Sequence, residues 1–217
     1  MVQRAKAPLA ACLGCALALV ALTYLAYEVG PGVRLDAHLL DDVSEHQVTL
    51  GGLANALVHL GDPLAVLLLA AVACGLALLR GSRRDALAAL VVVAGANLTT
   101  QALKVVLAHP RYQPLLGWHQ PSAEAFPSGH TTAAASVAIA FLFAVAPRWR
   151  PPALALGAAY VAAVGCSVVV LDKHYPSDVA GGLLVAAGWG FAVLAAQRAL
   201  GPGRLGGYDE RAAIVVK

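Results

Sequence analysis

Residues 127–145 read PSGHTTAAASVAIAFLFAV. The first four are polar or turn-forming, and the rest is an apolar run without a charge. Ser128 is a residue type that caps a helix start, and Gly129 lets the backbone come close to another group. The run that follows is apolar all round, as in a helix surrounded by lipid or by other helices. Five more segments behave alike, at 8–29, 62–79, 86–107, 152–171 and 179–200. Each approaches the roughly 20 apolar residues that cross a bilayer. The six together predict an all-α membrane protein, a bundle of six transmembrane helices in a single membrane domain over 1–217.

Composition agrees. The chain has 217 residues, 59% hydrophobic and 12% charged, about half the charge of an ordinary soluble domain. Its mean hydropathy is +0.72. A formal net charge of +3, with no basic tract interleaved with aromatics, points to no nucleic-acid partner. Cys12, Cys15, Cys74 and Cys166 lie in apolar runs without metal-ligand context and read as small packing residues. The first segment, with Arg4 and Lys6 before it, has no clear small-x-small site after Tyr27 and Glu28. It reads as a retained span, with a cleaved signal peptide as the alternative.

The basic residues set the orientation. With the N-terminus inside, Arg4, Lys6, Arg80, Arg83, Arg84, Arg148, Arg150, Arg198, Arg204, Arg211 and Lys217 are cytoplasmic. Arg34, Lys104, Arg111 and Lys173 fall outside. The positive-inside bias therefore places both termini in the cytoplasm. Compact, Ala-, Leu- and Val-rich spans suggest a bacterial plasma membrane. Residues 30–52 form one outer connection. Its RLDAHLLDD stretch at 34–42 suits either a short amphipathic helix at the interface or a solvated loop. The other connection, 108–127, carries Tyr112 and Trp118, which fit headgroup-level anchors. The Gly-rich end from about 201 to 217 reads as a flexible cytoplasmic tail.

Three polar clusters remain, all on the outer side. Lys104 ends the third span and Arg111 follows across Pro110, which breaks the helix. Snorkelling explains Lys104 alone. As a pair on the face that positive-inside disfavours, they suit an anion, Arg111 by a two-pronged grip and Lys104 as a point charge. Pro127-Ser128-Gly129-His130 opens the fourth span, where free N–H groups and the helix dipole favour a phosphate. Plain capping accounts for Ser128 but not for His130. In His174-Tyr175-Pro176-Ser177-Asp178, capping explains Pro176, Ser177 and Asp178. Asp178 also lies four residues after His174, within reach of an imidazole N–H. A carboxylate there fixes the tautomer and leaves the other ring nitrogen as a nucleophile. A metal site is the rival use of these histidines, although the sequence offers one nearby carboxylate and no HExxH-like spacing.

At these residues the chain resembles the type 2 phosphatidic acid phosphatase family, which shares its site with the vanadium haloperoxidases. The family pattern has three parts. Lys, six residues, Arg-Pro is met by Lys104 and Arg111, with Tyr112 in place of the Pro. Pro-Ser-Gly-His is intact at 127–130. Ser-Arg, five residues, His, three residues, Asp is met by Ser167, His174 and Asp178, but Val168 stands where the Arg belongs. The resemblance covers about 60–198. It implies an integral membrane lipid phosphatase without metal or other cofactor. In it, His174 attacks phosphorus, Asp178 orients His174, and His130 protonates the leaving oxygen and then activates water. Lys104, Arg111, Ser128 and Gly129 would hold the phosphoryl oxygens, with Lys173 offered as a substitute for the missing Arg. The implied substrates are phosphatidate, phosphatidylglycerol phosphate, and polyprenyl phosphates or diphosphates. A phosphotransferase with the same intermediate, or a weakened phosphate-binding relative because of Val168, are the alternatives. Haloperoxidase chemistry does not require six spans.

Overall fold

The structure is a computed structural model and describes residues 2–117 and 120–201. Trp118 and the expected tail beyond Gly201, with Arg204, Arg211 and Lys217, lie outside the described residues. The described residues form helices and connections, with no strand among them. In order they are α1 (Val2–Tyr27), α2 (Gly30–Ser44), α3 (Gln47–Val58), α4 (Pro63–Leu79), α5 (Arg83–Val106), α6 (Gly129–Ala144), α7 (Arg150–Val170) and α8 (Pro176–Leu200).

Local chemistry sets the ends. Ser82 caps α5, its Oγ accepting the Asp85 N–H at 3.2 Å. α5 stops at Val106, short of Pro110. Pro63 and Pro176 open α4 and α8, where a missing N–H costs nothing.

Each of the six expected segments falls on a helix, but they are not equals. Four helical stretches are long and apolar enough to cross a membrane alone: Ala5–Tyr27, Arg83–Val106, Pro147–Val170 and Pro176–Leu200. α4 has 17 residues, about 26 Å at 1.5 Å per residue and short of a hydrocarbon core of about 30 Å. It forms a further candidate span with α3, across a 52° bend. α6 has 16 residues and is shorter still. It can be, because it stands inside the bundle, packed on α4, α5, α7 and α8.

Residues 30–52, read from sequence as one connection, hold α2 and the start of α3. α2 is the helical alternative realised. Asp36, Ala37 and Leu40 form its buried face, and that face packs on α7 and α8.

The interior is built from small side chains. One cluster consists largely of Ala70, Ala73, Ala77, Ala86, Ala89, Ala140 and Ala144, while Leu13, Leu17, Leu67, Leu98 and Leu156 point outward. Lipid gives apolar groups no reason to hide, so helix association depends on close backbone approach, and small residues permit it. At Gly182 two helices meet backbone to backbone. A Cβ there would lie 2.7 Å from the Ser128 carbonyl oxygen and 3.1 Å from the Thr132 nitrogen. Gly188, further along α8, would place its Cβ 3.6 Å from Cys15, an ordinary contact. The four cysteines are free.

These two glycines give a matched test. Gly182→Ala must force α8 from the start of α6 and should cost about 1–3 kcal/mol. Gly188→Ala should be neutral or slightly stabilising through helix propensity. Thermal unfolding in detergent measures both.

Candidate active site

Asp178, in the first turn of α8, is fully buried. A buried carboxylate must find partners for its lone pairs, and this one has three. Oδ2 accepts the Tyr175 N–H at 2.9 Å. Oδ2 also faces His174 Nδ1 at 3.3 Å. Oδ1 accepts from Arg111 Nη2. With Nδ1–H directed to Asp178, the lone pair of His174 resides on Nε2.

His174 is held by the turn between α7 and α8. Asp172 adopts φ 54°, a left-handed conformation that aspartate tolerates better than most residues. The amides of Lys173 and His174 then both donate to the Val168 carbonyl, at 3.0 and 3.2 Å. Ser44, at the end of α2, donates to the Asp172 carboxylate.

Arg111 joins this cluster across the connection from α5. Its Nη1 donates to Ser177 Oγ at 3.0 Å and to Asp36 Oδ2 at 3.2 Å. Its guanidinium carbon lies 4.2 Å from the Tyr175 ring centre and 5.1 Å from that of Tyr27, a double cation–π setting. The Tyr175 hydroxyl donates to the Arg111 carbonyl at 2.9 Å. Burial pushes that phenol up to about 12, against the pull of Arg111, so it stays a donor. Asp36 is itself buried and also accepts the Ser177 N–H at 2.9 Å and its hydroxyl. Burial pushes the Asp36 carboxyl up, opposed by Ser177 and Arg111.

The start of α6 is fastened to the same place. The Ser128 N–H donates to the Asp178 carbonyl at 2.9 Å, and Ser128 Oγ accepts the Thr131 N–H at 3.4 Å. The remaining N–H groups of this first turn have no helical partners. Lys104, in the last turn of α5, runs its stem past Gly129. A Cβ at Gly129 would sit 3.6 Å from Lys104 Cε. The Lys104 ammonium rests on the carbonyls of Glu124 and Ala125, at 2.5 and 3.4 Å. His130 is half-buried, with Nε2 3.3 Å from Asp62 Oδ1.

The residues singled out from sequence therefore gather at one end of the bundle. His174, Asp178 and Arg111 are in one bonded group. Ser128 is tied to that group through the backbone, Lys104 covers Gly129, and His130 follows them in the first turn of α6. Lys173 is exposed beside His174. Val168 is fully buried in an apolar cluster with Ala37, Leu40, Val58 and Leu116. The position that the resemblance assigns to an arginine is thus filled by apolar packing against α2, and Lys173 stands at the rim next to it. Sequence reasoning missed Asp36, Asp62, Tyr27 and the bonding roles of Ser177 and Tyr175. For Asp36 no local signal exists, since its partner Ser177 lies 141 residues away. Among the described residues, no group of three or more His, Cys, Asp or Glu side chains could hold a metal ion.

Comparison with known proteins bears on this geometry. The family described as the PAP2 superfamily matches residues 85–202. The fold is similar to the crystal structure of the first transmembrane PAP2 type phosphatidylglycerolphosphate phosphatase from Bacillus subtilis, with a TM-score of 0.70 and 23% identity. That likeness covers 89% of this chain and 98% of the other. No curated protein matched. The family match takes in more than half of the chain, including Lys104, Arg111, the start of α6 and the His174–Asp178 pair, and the chain belongs to the PAP2 superfamily.

Proposed function

We propose that this chain is an integral membrane lipid-phosphate phosphatase working through a phosphohistidine at His174, without a metal. The observation that carries the reading is the buried His174–Asp178 pair set against the start of α6. Nε2 of His174 attacks phosphorus. His130 gives its proton to the departing alcohol oxygen, then takes one from the water that releases phosphate. Developing charge on the phosphoryl oxygens meets Lys104, the Ser128–Gly129 turn and the first N–H groups of α6.

Arg111 has a different task from a simple phosphate grip. Three of its five N–H donors go to Asp36, Ser177 and Asp178, and two carboxylates offset its charge. It holds Asp178, while Lys104, and Lys173 at the rim, supply the free positive charge for a dianion.

Six spans, with both termini cytoplasmic and the site outside, fit the distribution of basic residues. An outer-leaflet lipid phosphate reaches such a site without leaving the bilayer. The substrate classes are phosphatidate, phosphatidylglycerol phosphate and polyprenyl phosphates or diphosphates, in a bacterial plasma membrane. The packing of Val168 favours a second reading, a relative that binds phosphate but turns it over slowly.

Purified protein tested on these lipids should release phosphate, and His174→Ala should abolish release. Vanadate binding with no turnover on any lipid would favour the second reading. Asp36→Asn should keep the fold but weaken it by about 1–3 kcal/mol, by loosening two hydrogen-bonded partners, and should lower activity by freeing Arg111. Thermal unfolding and phosphate release measure the two effects. Val168→Arg should unfold the protein rather than raise its activity, since a buried unpaired charge there has no partner.

A further inference from the structure

α3 and α4 are separated by a single tight turn, His59–Gly61, and the chain bends by 52° there. Three contacts fix this break against the active site. Tyr160 on α7 donates its hydroxyl to the Leu60 carbonyl at 2.7 Å. Gly61 lies flat against His130, so that a Cβ would come within 3.1 Å of the ring Cδ2 and 3.0 Å of Val164. The next residue, Asp62, places Oδ1 3.3 Å from His130 Nε2 and Oδ2 2.7 Å from His59 Nδ1.

Asp62 holds the N-cap position of α4, with extended backbone at φ −67° and ψ 152°. An aspartate there ordinarily accepts an N–H from the first turn of its helix, a bond worth about 1 kcal/mol. Asp62 makes no such bond. Both its oxygens turn to imidazoles instead. A local preference forgone in a well-fixed segment marks a place where another requirement dominates.

We infer that Asp62 is a positioning residue for His130, an inference that rests on the proposed role of His130 as proton donor. The carboxylate fixes the ring with Nδ1 free for the substrate and favours the protonated imidazole. His59 braces the other carboxylate oxygen. Asp62 is the carboxylate bonded to the His130 ring.

The proton balance is closed within the site. As His174 Nε2 bonds to phosphorus, the bond from phosphorus to the lipid oxygen breaks. The electron pair leaves on that oxygen, which takes the His130 proton. In the second step water oxygen bonds to phosphorus, the phosphorus–nitrogen bond breaks, and His130 recovers a proton from that water. Asp62 thus need not pass protons to solvent. It holds the ring in place to give and recover that proton.

The test uses full-length protein and the kcat/KM ratio, which reports the steps through release of the alcohol. A long-chain alkyl phosphate needs its leaving oxygen protonated. A nitro-substituted aryl phosphate does not. Asp62→Asn, and Asp62→Ser with its good capping side chain, should lower kcat/KM about 10- to 100-fold on the alkyl ester and less than about 3-fold on the aryl ester. An equal fall on both esters, or none on either, overturns the inference. His130→Ala is measured in parallel. If it shows the leaving-group dependence and the Asp62 variants do not, the inference alone fails. If His130→Ala shows no such dependence, the proton-donor reading of His130 fails with it.

Discussion

The buried ion pair between Asp178 and Arg111 is the constraint on which this end of the molecule depends. A carboxylate with no exposure is tolerated only with a cation and hydrogen bonds around it. Meeting that demand draws in the α5–α6 connection through Arg111, α2 through Asp36, and the start of α8 through Ser177 and Tyr175. The same carboxylate faces His174. The group that orients His174 is thus the group that orders the surrounding chain. Removing one member leaves a buried charge uncompensated, which typically costs about 3–5 kcal/mol.

This arrangement needs helix ends to meet closely, and the interior permits it. α6 and α8 approach at Gly182 until backbone touches backbone. Alanines fill the layers beneath. Trp189 covers Gly95, where a Cβ would be 2.6 Å from the indole, and its N–H donates to Thr99 at 3.0 Å. Large apolar side chains are sent outward to the lipid. Small residues inside are therefore a condition of the polar site, because bulkier ones would hold the helix tips apart.

Local signals were readable where the chemistry is local. Ser128, Pro176 and Asp178 announced helix starts and hold those positions. Lys104 sits in the last turn of α5 as its place before Pro110 implied. The four-residue interval between His174 and Asp178 gave their pairing. What escaped depends on distance along the chain. Asp36 looked like a polar residue of an amphipathic stretch, and nothing near it names Ser177 or Arg111. Asp62 stood only as the first residue of a span, and the bend at His59–Gly61 turns it toward His130. Val168 read as a missing arginine. The fold shows it as a packing residue beneath α2, whose Ala37 and Leu40 close that space.

The central claim is that separate helix tips meet around one tetrahedral anion. An experimental structure of the protein with orthovanadate tests it most directly. The account predicts vanadium bonded to His174 Nε2, with oxygens on Lys104 and on the N–H groups at the start of α6, and His130 beside the apical oxygen. Vanadate bound elsewhere, or a His174 Nε2 turned away from His130 and Lys104, would contradict it.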